Sequence, residues 1–269
     1  MPASPSANAT VQPLSKAVDA TGRTVVVTGG TMGIGRMIAE GFAASGASVI
    51  ICARTASACE RVAAEISERY PGSCVGVAAD LSNSEGIRTL VTAVTQHTDK
   101  VHALINCAGR ALIAPIDEYP EDGWDNVFDL NLRAAFFVTQ KLLPLLRKGG
   151  TAEWPASVIN VGSIAGHKIQ QRENYAYAAS KAGLHYLTRS LAKHLGPQNI
   201  SVNAIVPGLF LTELTQELAG QFAEKFIAET PRRRLGQAHD VADLACFLSS
   251  PSASFLCGVV IPLDGGVSV

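Results

Sequence analysis

Short apolar runs rich in β-branched residues alternate along the chain with longer stretches whose apolar positions recur every three or four residues. The strand-like runs are Thr24–Val27, Ala47–Cys52, Cys74–Ala79, Val101–Ile105, Ser157–Val161, Ser201–Val206 and Val259–Leu263. Helical spacing is clearest over Arg36–Ala44, 56–70 and Tyr175–His194. Strands that are apolar throughout are those of a parallel sheet covered on both faces, and their alternation with helices predicts an α/β fold with a doubly wound parallel sheet of about seven strands. The rhythm breaks at 209–234, where Phe210, Leu211, Leu214, Leu218, Phe222 and Phe226 keep near-helical spacing; this segment is expected to form a small helical lid over the substrate. The first twenty residues, rich in Pro, Ala and Ser without an apolar h-region, read as a loose tail and not a secretory signal, which leaves 21–269 as one domain.

Composition changes the picture mainly by exclusion. The 269 residues are 47% hydrophobic and 17% charged, enough for one large core, and the net charge of −1 provides no basic field for nucleic acid or an anionic membrane. No apolar run reaches the length of a spanning helix. The six cysteines include no C-x-x-C pair and the histidines lack metal-ligand spacing, so a reduced, cytoplasmic protein without a metal is expected.

Three places carry candidate chemistry. The first strand enters Thr28-Gly29-Gly30-Thr31-Met32-Gly33-Ile34-Gly35 and then a helix, the arrangement in which glycines let the backbone approach a pyrophosphate and a helix N-terminus presents free N–H groups. Taken alone, the glycines read equally well as a tight turn. The second strand ends at Ala53-Arg54: the acid that would hold the 2′-hydroxyl of NAD is missing and a cation that can hold the 2′-phosphate of NADP(H) is present. Asp80, followed by Leu81, could accept from an adenine amino group or cap a turn. At Asn106-Cys107-Ala108-Gly109 the small residues would let the chain pass close to a nucleotide while Asn106 ties neighbouring loops together.

The third place is Ser163 together with Tyr177 and Lys181. Four residues apart on a helix, Tyr177 and Lys181 share one face, and the ammonium would favour phenolate and bring the phenol toward neutrality. Ser163 follows a strand, at the end where open α/β sheets bind ligands, and could hold a carbonyl oxygen. By itself the pair Tyr177/Lys181 also reads as an aromatic ring packed on a lysine stem.

In this order, TGGTMGIG at 28–35, NCAG at 106–109, Asn131, Ser163 with YAASK, Pro207-Gly208 and Asp264-Gly265-Gly266 resemble the classical short-chain dehydrogenase/reductase family over nearly all of 22–269. CARTASACE, LLPLLRK, INVGSIAG and AYAASKAGLH look most like bacterial 3-oxoacyl-carrier-protein reductases of the rhamnolipid-associated branch. Two positions depart: Cys107 stands where asparagine is usual, and Met32 where many NADP-using members carry arginine, which leaves Arg54 to face the 2′-phosphate without that help.

The resemblance implies a single Rossmann-type domain and an NADPH-dependent reduction of a 3-oxoacyl thioester, carried by a carrier protein or CoA. Tyr177 would act as proton donor, Lys181 would lower its pKa and hold the nicotinamide ribose, Ser163 would bind the substrate oxygen, and Asn131 would kink its helix and anchor a proton-relaying water. Pro207-Gly208 would position the nicotinamide amide and Thr212 would meet a phosphate. The long helices near Asn131–Leu146 and Tyr175–Leu195 would form a homodimer or homotetramer. Arg232-Arg233-Arg234 could attract an acidic carrier or a phosphopantetheine arm, though such runs are usually solvated. A ketoreductase or alcohol dehydrogenase for another ketone, polyol or cyclic substrate is the alternative, and a non-catalytic nucleotide sensor is opposed by the intact Ser163, Tyr177 and Lys181.

Overall fold

A computed structural model of the chain describes residues 18–210, 212 and 221–269, without the side chains of 221–223. Seven strands, β1 (Thr24–Thr28), β2 (Ser48–Ala53), β3 (Ser73–Ala78), β4 (Ala103–Asn106), β5 (Ala156–Val161), β6 (Ile200–Pro207) and β7 (Val260–Leu263), form one parallel sheet in the order β3-β2-β1-β4-β5-β6-β7. The helices are α1 (Gly33–Ala44), α2 (Ala56–Arg69), α3 (Ser84–His97), α4 (Glu121–Phe128), α5 (Ala134–Gly149), α6 (Tyr175–Leu195), α7 (Gln221–Glu229) and α8 (Ala238–Leu248). The expected strands are all present, with ends moved by one or two residues. β4 starts late because the amide of Val101 donates to the carbonyl of Leu145 in α5 instead of to a strand.

Period two along the strands divides the core into two layers. Val25 and Val27 of β1, with Val49 and Ile51 of β2, pack under Ile38 and Phe42 of α1 and Val241 and Ala245 of α8. Val26 and Ile50 point the other way, onto Leu90 and Val94 of α3 and Val138 and Leu142 of α5. Burial on both faces explains why the strands show no polar side in the sequence. Pro262, which has no amide hydrogen to donate, sits in β7 at the edge of the sheet.

Strand order reverses between β1 and β4, so the helices after these two strands leave on opposite sides and a crevice opens at the carboxyl ends of β1, β4 and β5. Residues 1–17 of the expected tail, and residues 211 and 213–220 of the expected lid, lie outside the described residues. The rest of the lid segment contains α7 and a turn whose carbonyls and amides bond to the C-terminal loop, Arg232 N donating to Gly265 O at 3.1 Å. No described helix is long and apolar enough to cross a membrane, and the six cysteines form no disulfide.

Candidate active site

The loop from β1 to α1 folds tightly because Gly29 has φ 69° and because a Cβ on Gly35 would collide with the carbonyl oxygen of Gly29. Thr28 fastens this loop to the one after β4: its Oγ1 accepts from the amides of Cys107 at 3.0 Å and Ala108 at 3.1 Å and donates to Ile105 O. A Cβ on Gly29 would lie 2.9 Å from Ala108 Cα, so the two chains touch backbone to backbone. The N-cap of α1, Met32, is extended and makes no side-chain cap, and the first turn holds no acid. The free N–H groups and positive end of α1 therefore face the crevice unneutralised, as anion binding requires.

A cleft of about 660 Å³ runs from Arg54 to Tyr177. Its walls include Gly29, Thr31, Met32, Ile34, Gly35, Arg54, Leu81, Ala108, Gly109, Ser163, Tyr177, Lys181, Pro207, Gly208 and Thr212, all of them singled out from the sequence. Gly33, Asp80, Asn106 and Asn131 are not on the wall. Gly33 (φ 54°) shapes the turn behind it. Of the two roles left open for Asp80, the structure shows a turn: its Oδ1 accepts from Ser82 N and Oγ, and these bonds hold its carboxyl below the usual range.

Asn106 ties elements together in a different place from the one expected. Its side chain points down between the layers, donating to Asn160 Oδ1 at 2.9 Å and Thr139 Oγ1 at 3.1 Å, and Asn160 in turn donates to Thr188 Oγ1 at 2.9 Å. This buried chain of amides and hydroxyls, which joins β4 and β5 to α5 and α6, was not foreseen. Nothing local marks it, since its members are short polar residues scattered over 106–188.

At the reaction end, α4 passes into α5 through a wide turn with π-type bonding at Asp129–Arg133, and Asn131 sits in it. Asn131 is buried; its Oδ1 accepts from Arg110 N at 2.8 Å and its Nδ2 donates to Arg110 O and to Ser180 Oγ. Gly109 runs between this side chain and Lys181, with room for a Cβ only 3.2 Å from Asn131 Oδ1 and 3.6 Å from Lys181 Nζ. Lys181 Nζ donates to the carbonyl of Val161 at 2.7 Å and lies 5.7 Å from the centre of the Tyr177 ring. Ser163 starts a short turn by accepting from Ala165 N, and its hydroxyl lies near enough to the Tyr177 phenol to draw its pKa down.

The expected direction of the tyrosine shift is corrected. Burial raises the Tyr177 phenol above its ordinary value, the Ser163 hydroxyl works against it, and the Cys107 thiol pushes with burial. Burial also draws Lys181 down to about 8. Burial thus keeps the phenol protonated, as suits a group that gives up a proton, while a lysine at about 8 still carries its charge at neutral pH.

The arginine run 232–234 is partly engaged within the fold. Arg234 is bound through both guanidinium nitrogens to Asp240 at the start of α8, and Arg233, at φ 53°, donates to the carbonyl of Ala228. Two of the three arginines thus bond within the fold while keeping exposed surface. Arg61, overlooked in the sequence, lies on the cleft wall beside Arg54; its position one turn into α2 was the signal available. A larger cavity of about 990 Å³ lies along Ala178, Ala179 and Ala182, on the side of α6 turned away from Tyr177 and Lys181, and holds none of the chemistry.

Residues 28–268 match the family model described as enoyl-(acyl carrier protein) reductase. The chain is 43% identical to the rhamnolipids biosynthesis 3-oxoacyl-[acyl-carrier-protein] reductase of Pseudomonas aeruginosa, over 91% of this chain and 96% of that protein. It is 34% identical to the 3-oxoacyl-[acyl-carrier-protein] reductase FabG of Aquifex aeolicus, over 91% and 97%. The solved Pseudomonas aeruginosa RhlG/NADP active-site complex superposes with a TM-score of 0.90 at 42% identity, covering 94% of this chain and 99% of that one.

Proposed function

The chain belongs to the short-chain dehydrogenase/reductase family, and we propose that it is an NADPH-dependent carbonyl reductase that converts a 3-oxoacyl thioester to the 3-hydroxyacyl product. The observation that carries this reading is the meeting of Ser163, Tyr177 and Lys181 at the carboxyl end of β5, in a cleft that continues to Arg54.

The cleft fits a dinucleotide phosphate on its own terms: a loop so tightly turned that a Cβ on Gly35 would strike the backbone of Gly29, an uncapped helix N-terminus, and a cation at the place of the missing acid. Gly29 to Gly35 and the first turn of α1 would hold the pyrophosphate, Arg54 the 2′-phosphate, and Lys181 the nicotinamide ribose. When bound, NADPH supplies the hydride. Ser163 donates to the carbonyl oxygen of the substrate and stabilises the negative charge that grows there. Tyr177, kept protonated by burial, delivers its proton to that oxygen. Lys181, with three N–H donors of which Val161 takes one, holds the phenol's environment positive as the proton leaves. Asn131 fixes the backbone of Arg110 and through Ser180 steadies α6. The relation to 3-oxoacyl reductases supports a carrier-bound thioester as the substrate and the cytoplasm as the place of reaction. Exposed or half-buried Phe128, Leu132, Phe136 and Tyr186, along a groove between α5 and α6, suit a homodimer or homotetramer.

The test is the initial rate of NADPH consumption with acetoacetyl thioester, beside NADH and a series of simple ketones. Rapid turnover of the thioester with NADPH supports the reading. Turnover confined to simple ketones keeps the reaction and removes the substrate, and tight NADPH binding without any turnover removes the enzyme.

A further inference from the structure

Gly162 and Gly166 flank the turn that carries Ser163, and both lie against the ring of His185 in α6. A Cβ on Gly162 would come within 2.8 Å of His185 Cδ2 and closer still to Nε2. One on Gly166 would stand 2.6 Å from Cε1 and 2.9 Å from the backbone of α6. The edge Cδ2–Nε2–Cε1 of the imidazole is therefore laid along the turn from one end to the other, at a separation that no residue but glycine allows. The turn is otherwise held at one end and by itself: Gly162 N donates to Ile205 O at 2.7 Å, and Gly166 N donates to Ser163 O at 2.9 Å.

His185 is only 5% exposed, and its Nε2 has no hydrogen-bond partner. An apolar side chain would fill the space without that unpaired atom, but aliphatic side chains are thicker than a ring seen edge-on. We propose that His185 is a positioning residue for Ser163, a flat support that sets the distance of the serine hydroxyl from Tyr177. This rests on the reading of Ser163 as the group that holds the carbonyl oxygen. His185 lies one turn beyond Lys181 and two beyond Tyr177, so one helix carries the proton donor, its cation and the support of the third group. The groups around the ring are Lys181, Arg189 and His167, the last 5.9 Å away ring to ring; together with burial, the larger effect, they keep the imidazole neutral, with its pKa drawn down to about 4. The ring thus serves by shape and moves no proton in the working range.

A double-mutant cycle on the full chain tests this: Ser163→Ala, His185→Ala and the pair, each assayed with NADPH and acetoacetyl thioester, with NADPH affinity and melting temperature measured alongside. His185→Ala is expected to lower kcat by between about tenfold and 100-fold with NADPH affinity unchanged, because misplacement by an ångström costs that much. In the Ser163→Ala background the same change is expected to cost nothing further. Equal losses in both backgrounds would overturn the positioning role, as would full activity of His185→Ala. Ser163→Ala with full activity would instead remove the reading on which the inference rests, a separate result. If His185→Ala does not fold, the cycle is run with His185→Gln and His185→Leu, where a loss in the leucine variant that is absent without the Ser163 hydroxyl supports the role and an equal loss in both backgrounds overturns it.

Discussion

Lys181 Nζ donates to the carbonyl oxygen of Val161 at 2.7 Å, which pins α6 to the carboxyl end of β5 and leaves an ammonium in a buried site with no carboxylate among the described residues bonded to it. Burial draws its pKa from 10.5 to about 8. If the ammonium is needed beside the phenol, kcat for reduction is level below pH ~8 and falls above it as the charge is lost. Lys181→Met is expected to lose most activity and with it the inflection, so that a wild-type profile level up to pH ~10 would dismiss the ammonium. Stability runs the other way: between about 8 and 10.5 the unfolded chain binds more protons than the folded one, so this lysine makes stability rise with pH across that window.

Tyr177 is the proton donor of the proposed reaction, held protonated by burial against the pull of the Ser163 hydroxyl. Tyr177→Phe removes the proton and almost no volume. A drop in kcat of about 10²- to 10⁴-fold is expected, with NADPH affinity, followed by fluorescence titration, nearly intact. Residual turnover above about a tenth of wild type would assign the proton to another group.

What was legible in the sequence was local. Val25–Val27, the glycines after it and the helix following form one continuous βα unit, and Ser163, Tyr177 and Lys181 belong to another, so that short stretches of chain already hold most of the geometry. What was not legible crosses the sheet. Thr28 meets amides 79 and 80 positions away, and Asn106 reaches Asn160 across 54. Neither bond has a pattern in the chain because short polar residues at strand ends look alike until the strands are placed side by side. The sign of the Tyr177 shift failed for a related reason: helical spacing reveals the neighbouring lysine, but the depth of burial belongs to the whole fold.

Two buried imidazoles make the protein sensitive to acid. His102 accepts from Thr24 N at its Nδ1, 2.8 Å away, and burial draws it down to about 4; His185 is drawn down to about 4 in the same way. An unfolded imidazole titrates near 6.5, so between about 4 and 6.5 the unfolded chain takes up more protons, and stability that is complete above this window is lost as the pH falls through it. Each contributes up to roughly 3 kcal/mol. His102→Asn keeps an acceptor for Thr24 N and never ionises; the difference between its urea midpoints at pH ~7 and ~5 is expected to be smaller than that of wild type. An unchanged difference would place the acid sensitivity elsewhere.

Glu65 accepts from Arg36 at 2.8 Å and from Arg61 at 2.9 Å, and Arg36 is held in addition by Glu40. Around the end of the cleft where Met32 leaves a basic position empty of charge, two carboxylates, Glu40 and Glu65, thus neutralise two of three arginines, and Arg54 stands on the wall outside this network. If Arg54 is the group that meets a 2′-phosphate, Arg54→Ala raises KM for NADPH by about 10- to 100-fold, the worth of a charge-assisted hydrogen bond, and leaves KM for NADH nearly unchanged. Arg61→Ala alone is expected to do little, because its charge is already engaged. Glu65→Gln releases Arg61 toward the cleft, and the expected result is a lower KM for NADPH, none for NADH, and a gain that shrinks with added salt because the new contact is exposed. Equal effects of Arg54→Ala and Arg61→Ala in the presence of Glu65 would mean that the carboxylate does not hold Arg61 back, and that cofactor choice is shared between the two arginines.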